Sequence, residues 1–552
     1  MSEMILPGTY IEVRPEGLIV PGRISVNNVG MVGTAAKGPL NLPVLLSTYT
    51  EAHEVFGDYD AWDADNPGSE LTLVRALEQA FTHGATAVYA VRIGDNADTA
   101  DLQIDSITGA CLTIAAQSPG AWGNEIRVNI TDADAHSYIS DETHPGGGAV
   151  SLDYTTIVES VRNRISVFVD AEQREVAFGI IYNGAPGTGQ VLVNTATGAL
   201  TFEASEAPAA ADEVIASYVV NLANSVKVTL QVGTAEEIYI AANGNDLAAD
   251  INKSSAMAVA TAAANAAELP TKFANAFDFF PLTGGANGAG VSASDYKAGM
   301  DQLMSKDAHI IVAAGQDHNS SGADLAAHCK AASSDVNKRE RIGIIGSAFT
   351  DDFEDVRAHN LNSDRVVFVA PGIEANDAAA EDRVTLPGAY TAAAVAGLLA
   401  SYSPHISLTN KPIPVAGLQE DYTNAELTQL VSAKVLVLQN KLGFKVVKGI
   451  TTSSNSAWHQ ITTRRIVDFA KYGVRSAADP YIGMLNNERV RGAMRATINS
   501  FLAEMVEDEM LISYELDVSA TREEQRKGIA RVTIVLRPVF SIDFIKVTMF
   551  LE

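Results

Sequence analysis

Cysteine, tryptophan and positive charge are scarce in this chain. It has two cysteines in 552 residues, Cys111 and Cys329, and no C-x-x-C spacing. That argues against a disulfide framework or a cysteine-built metal site and fits synthesis in a reducing compartment. No apolar run reaches the ~18–20 residues that a bilayer span needs, and the Ala-rich stretch Tyr390–Ser401 is too short. The opening MSEMILPGTYIEV has no basic start and no apolar core, so no signal peptide is expected. Lys and Arg number 39 against 67 Asp and Glu, a net charge of −28. Such a balance argues against non-specific binding to nucleic acid or to anionic membrane.

What is present is core-forming sequence. Hydrophobic residues make up 47% and charged residues 19%, enough for a sizeable buried interior divided over several domains. Charge is unevenly placed. Between Asp95 and Pro270, 23 acidic and 6 basic residues give −17; between Lys441 and Ser500, 10 basic and 3 acidic give +7. Two surfaces facing different partners are implied.

The pattern is mixed α/β. Residues 21–94 alternate short strands with helices: Thr48 is a candidate cap for a helix stopping at Gly57, and Ser69 for one ending at Gly84. From Asp95 to Thr283, short alternating runs such as ISVFVD and VKVTLQV mark an inserted β-rich domain, with a helix in the Ala-rich stretch 246–268. PLTGGANGAG at 281–290 reads as a flexible junction. Residues 291–402 return to helices (Ser294–Met304, Asp324–Ala332, Asp351–Asn360, Thr391–Ala400) alternating with apolar strands, a mostly parallel sheet. Helices Ile461–Tyr472 and Asn487–Glu509 follow a proline-bearing linker.

Both chain ends read as strands. Ile5, Tyr10, Ile11 and Val13 begin one; Phe540, Ile542, Phe544, Val547, Met549 and Leu551 mark the other at near two-residue spacing. Free terminal strands invite pairing with another chain, although both could fold back into their own domain.

Catalytic signals stay at background. APGTGQ (185–190) and LTGGANGAG (282–290) lack the Lys-Ser/Thr of a P-loop, and turns account for both. Ser347 in GIIGSAF follows a strand but not in a G-x-S-x-G setting. His309, His318 and His328 share no ligand spacing, so no metal site, cofactor or catalytic residue is assigned. In ITTRRIVDFAKYGVR, helical spacing puts Arg464, Lys471 and Arg475 near one side, with Arg465 adjacent. A solvated helix face explains this plainly; the acidity of the rest of the chain favours contact with an acidic partner.

Taken together, LPGTYIEV, VGTAAKGPLNLPVLLST, SPGAWGNEIRVNI, PLTGGANG, ITTRRIVDFA, YIGMLNNERVR and RVTIVLRPVFSIDFIKVTMFLE resemble the sheath proteins of contractile phage tails and related contractile injection systems. The likeness covers both ends and 281–550 well and 131–275 poorly. It implies a non-enzymatic, mechanically active subunit without cofactors that polymerises in helical stacks of hexameric rings around an inner tube. Contraction then drives the tube through a target envelope. It implies an N-terminal strand arm (1–20), the first part of an α/β core (21–94), an inserted outer domain (95–283), an α/β domain (284–415), a tube-proximal domain (416–536) and a C-terminal strand arm (537–552). Expected partners are further copies of the chain and the inner tube, baseplate and tail terminator proteins, with no direct nucleic-acid binding or membrane insertion. The expected place is a virion tail assembled in the bacterial cytoplasm, or a cytoplasmic or released injection particle. Arg464, Arg465, Lys471 and Arg475 become candidates for the tube contact, and the two terminal strands for intersubunit pairing. The alternatives are a cytosolic α/β enzyme with a site near Ser347 and another self-assembling shell or layer protein.

Overall fold

The structure, a computed structural model, describes residues 26–66, 70–275, 277–288 and 290–550. Two compact units emerge. Of the described residues, one takes those within 26–35, Leu40–Gly94 and 290–550; the other takes those within Ala36–Pro39 and 95–288.

The first unit is organised by an eight-stranded sheet. Its order is Pro43–Leu46, Val88–Ile93, Val29–Thr34, Ile310–Asp317, Ile342–Gly346, Val366–Ala370, Val435–Asn440 and Phe444–Val446. The six inner strands are parallel and the two edge strands antiparallel. Stretches far apart in sequence therefore share one sheet, joined where Val29 lies opposite Ile310. Its strands are apolar on both faces because helices cover both. Met31, Ile310 and Val312 meet the helices Thr72–Thr82 and Gly388–Ala400; Val32, Ile311 and Ala313 meet Ala293–Gln302 and His318–Ala332. Every residue of Gly388–Ala400 is buried. Small side chains permit this: a Cβ on Gly397 would lie 2.1 Å from the carbonyl oxygen of Ala80.

Local signals fare unevenly. Thr48 caps Tyr49–Phe56 by accepting from the Glu51 amide, and Gly57, at φ 79°, closes that helix. Thr72–Thr82 begins after Leu71 without a side-chain cap; Ser69 lies outside the described residues. The helix expected from Asp324 starts at His318, because Asp317 and Ser320 form a capping box. The one expected over Asp351–Asn360 shrinks to Phe353–Arg357.

Toward the C-terminus, helices Ile461–Ala478 and Glu488–Glu507 pack on a hairpin of Leu511–Ser519 and Arg531–Pro538. The two helices approach closely at Gly473, where a Cβ would sit 1.8 Å from Cζ of Phe501.

The second unit is β-rich, with sheets of seven, four and three strands around two apolar clusters. In its Ala-rich stretch the helix Gly244–Ser254 ends early. Ala258–Ala262 instead pairs antiparallel with Ala110–Ala116, so sheet pairing overrides the helix preference of alanine. The glycine-rich exit is not the flexible junction expected over 281–290. Its described part bridges back to the entry segment at Asp98–Ala286 and Asp101–Thr283. Asn124 donates to Gly285 O at 2.8 Å and accepts from its amide at 2.9 Å. Asn287 accepts from the Ala121 amide at 2.8 Å. Two motifs separated by more than 150 residues thus lock together as a stem.

Candidate functional site

The basic helix Ile461–Ala478 lies against the residues Glu340 and Arg365, just before the strands Ile342–Gly346 and Val366–Ala370 begin. Arg464 forms ion pairs with Asp364 at 2.9 Å and Asp468 at 2.8 Å, with its guanidinium 4.1 Å above the Trp458 ring. Asp468 is also held bidentately by Arg365, at 2.8 and 3.0 Å. Arg465 donates through Nη2 to Asn27 Oδ1 at 2.7 Å and to the Tyr402 carbonyl at 3.0 Å. Both arginines are buried. The four basic residues therefore do not form one exposed face, which corrects the sequence expectation. Asp468 is in the helix itself, four residues from Arg464, whereas Asp364 sits a hundred positions upstream, where a reading of the helix cannot find it.

Lys471 and Arg475 keep more contact with solvent, their side chains 34% and 27% exposed. Both reach Glu340, whose side chain is fully buried: Lys471 at 2.8 Å, Arg475 through two bonds of 2.6 and 2.7 Å. Burial pushes the Glu340 carboxyl up, but hydrogen bonds from Arg475 and Lys471 outweigh it and hold the group below its ordinary value. Around the same helix, burial and the nearby Arg341 push His309 and His328 down to about 4. Burial lowers Arg465 to about 10.

Beyond Pro538 the chain runs on without regular secondary structure and with no strand partner among the described residues. Two side chains tie it down, Asp543 and Phe544, whose ring lies 5.0 Å from Lys448 Nζ. Asp543 pairs with Lys448 at 3.4 Å and accepts from Gln460 at 3.3 Å and Thr409 at 3.4 Å. Around it Phe540, Ile542, Phe544, Val547 and Met549 stay exposed, from 61 to 84%. Ile5, Tyr10, Ile11, Val13 and Leu551 fall outside the described residues.

The residues considered for chemistry are dispersed. Ser347 is buried against Gly388, and among the described residues no His, Asp or Glu bonds its hydroxyl. His318 faces Asp351 at 3.5 Å, His328 contacts Arg341 at 3.0 Å, and His309 packs edge-on to Tyr472. One grouping was missed in the sequence: Glu142, His144 and Asp153 bring ligand-type atoms within 4.8 Å of one another. Glu142 there already bonds Tyr218, His144 and the Asp153 amide. In 185–190, Gly187 and Gly189 amides donate to Gln190 and Glu206, as in an ordinary turn.

A sheet-centred unit and an inserted β-rich unit, with a segment after Pro538 that joins no sheet among the described residues, make up a tail sheath fold. A tail sheath protein of Listeria innocua is similar at a TM-score of 0.61 and 12% identity, covering 95% of either chain. One of Desulfitobacterium hafniense is similar at 0.58 and 13%, covering 96% of this chain and all of that one. Comparison with curated proteins gives no match. Residues 289–452 match the phage tail sheath protein central domain and 453–552 the phage tail sheath C-terminal domain, and the chain belongs to this family. It is a structural, non-enzymatic tail sheath protein of a contractile phage tail or injection system.

Proposed function

We propose that the chain polymerises helically by strand addition around an inner tube and contracts to drive that tube through a cell envelope. The observation carrying this reading is the segment after Pro538. Its large apolar side chains are exposed and recur at near two-residue spacing in a segment that joins no sheet among the described residues. Covering each would stabilise an assembly by about 1.5–3 kcal/mol, before ordering costs. A receptor of matching form exists in the same chain. The hairpin Leu511–Ser519/Arg531–Pro538 is a two-stranded sheet with no further strand on either edge among the described residues. An arm from one copy adding to the hairpin of the next is a head-to-tail contact that does not close, which generates an open helix. Backbone hydrogen bonds in such a joint persist while the bodies they link rotate. The work of contraction then comes from the gap between two packings, without nucleotide hydrolysis. In this reading the N-terminal arm takes part too, and baseplate and terminator proteins bound the polymer.

Removal of residues 539–552 tests the proposal. The truncated chain is expected to stay soluble and folded yet sediment as a non-polymerising species. Normal helical polymers from it would contradict strand addition through this arm.

The tube contact falls to Lys471 and Arg475, the two of the four that keep solvent exposure. Exposed pairs of this kind contribute about 0–1 kcal/mol each, weakened by salt, which suits a contact that must release along the whole tube. Lys471→Gln leaves Glu340 paired with Arg475, so it is expected to weaken co-sedimentation with the tube protein at moderate salt while sheath assembly persists. Unchanged co-sedimentation would place the contact elsewhere.

A further inference from the structure

The sequence after Pro538 carries two apolar runs that are out of phase. Phe540, Ile542 and Phe544 recur at two-residue spacing, and so do Val547, Met549 and Leu551, but three positions separate Phe544 from Val547. Successive side chains of a strand point to opposite faces, so a step of three moves the second run to the other face. An unbroken strand cannot present both runs on one face. The change of phase falls at Ile545-Lys546.

Burial divides the segment at almost the same place. Ser541 and Asp543 are half-buried, whereas Ile542 between them and every residue from Phe544 to Phe550 is exposed. The Asp543 side chain, 11% exposed, gathers donors from three distant parts of the chain. Lys448 stands just past the strand Phe444–Val446, Gln460 immediately before the helix Ile461–Ala478, and Thr409 in the stretch after Gly388–Ala400. Thr409 is itself fixed, since its hydroxyl accepts from the Gly449 amide at 3.2 Å. From within the segment, Ser541 donates to Asp543 Oδ1 at 3.0 Å. Each bond to the body is long. Together they hold one carboxylate between three elements, and bonds to an ionised acceptor are the stronger kind.

We propose that Asp543 is a positioning residue that divides the arm: residues up to Phe544 stay on the subunit that carries them, and the run Val547, Met549 and Leu551 is donated to the next copy. This rests on the reading of strand addition above and names the part of the arm that adds. The anchor keeps the donated run on a short tether. That run then meets a neighbouring hairpin at a higher effective concentration than a tail free from Pro538 onward. Phe540 and Ile542 become a fixed apolar patch beside the anchor, not part of the travelling strand.

Nitroxide labels on single introduced cysteines of the full chain read this division, since Cys111 and Cys329 are buried. Below the critical concentration, a label on Ile542→Cys is expected to be hindered and one on Thr548→Cys mobile. Polymerisation is expected to hinder the second. Adding Asp543→Ala is expected to free the first label. It is also expected to raise the critical concentration about threefold, as the tether to Val547 lengthens from four residues to nine. A first label that is mobile from the outset, or that Asp543→Ala leaves hindered, overturns the anchor while strand addition stands. A second label already hindered before assembly overturns the division. One that stays mobile in well-formed polymers overturns donation of this run, and strand addition by this arm with it.

Discussion

At the scale of single residues, the C-terminal helix is held by buried charge. Asp468 is the hub: Arg365 and Arg464 both depend on it, and all three side chains are under 10% exposed. Removing it leaves Arg365 buried without its carboxylate and Arg464 with Asp364 alone, at about 3–5 kcal/mol. Asp468→Asn is therefore expected to destabilise the fold by that order in urea denaturation, whereas Lys471→Gln costs under about 1 kcal/mol because Arg475 still holds Glu340. The buried histidines set an acid limb. His309 and His328 stay neutral in the fold down to about 4, while the unfolded chain takes up protons near 6.5. Their stabilisation is thus complete above that value and is lost as pH falls from about 6.5 to 4. Glu340, held below its ordinary value, adds its loss only at lower pH still. Urea midpoints measured from pH 7 to 4.5 should fall, and His309→Phe should flatten part of the fall; an unchanged slope would contradict the assignment. Of this network only the Arg464–Asp468 pair, four residues apart, lies in the helix alone. Its +7 segment was visible, but Glu340 and Asp364 reach it only through tertiary folding.

At the scale of elements, close approach decides more than propensity. Gly473 sits mid-helix, where alanine would ordinarily gain about 0.5–1 kcal/mol. Here a Cβ would overlap the Phe501 ring. Gly473→Ala is expected to destabilise by about 1–3 kcal/mol, and Phe501→Leu in the same chain to recover part of that; a stabilised single variant would refute the packing argument. Elements with strong apolar periodicity, such as Thr72–Thr82 and Glu488–Glu507, were readable because pattern and packing agree. Ala258–Ala262 was not, since its strand state comes from pairing with Ala110–Ala116 rather than from its own residues. The run after Pro538 alternates in sequence, yet among the described residues it joins no sheet, because alternation supplies a strand's faces but not the neighbour that pairs with it.

At the scale of the whole molecule, the chain divides into two compact units and carries an exposed apolar segment after Pro538. The inserted unit leaves and returns through the stem fixed by Asn124 and Gly285, so its sequence can vary while the sheet-centred unit and the arm keep their contacts. That division explains why the resemblance to sheath proteins was legible at both ends and in the stem motifs, yet faint over 131–275. The central claim is that this chain builds an open helix from copies of itself. Negative-stain electron microscopy of the purified full chain at neutral pH and moderate salt tests it most directly. Hollow, helically striated tubes are the expected result. A population of monomers or small closed oligomers at concentrations well above those of assembly in a tail would contradict it.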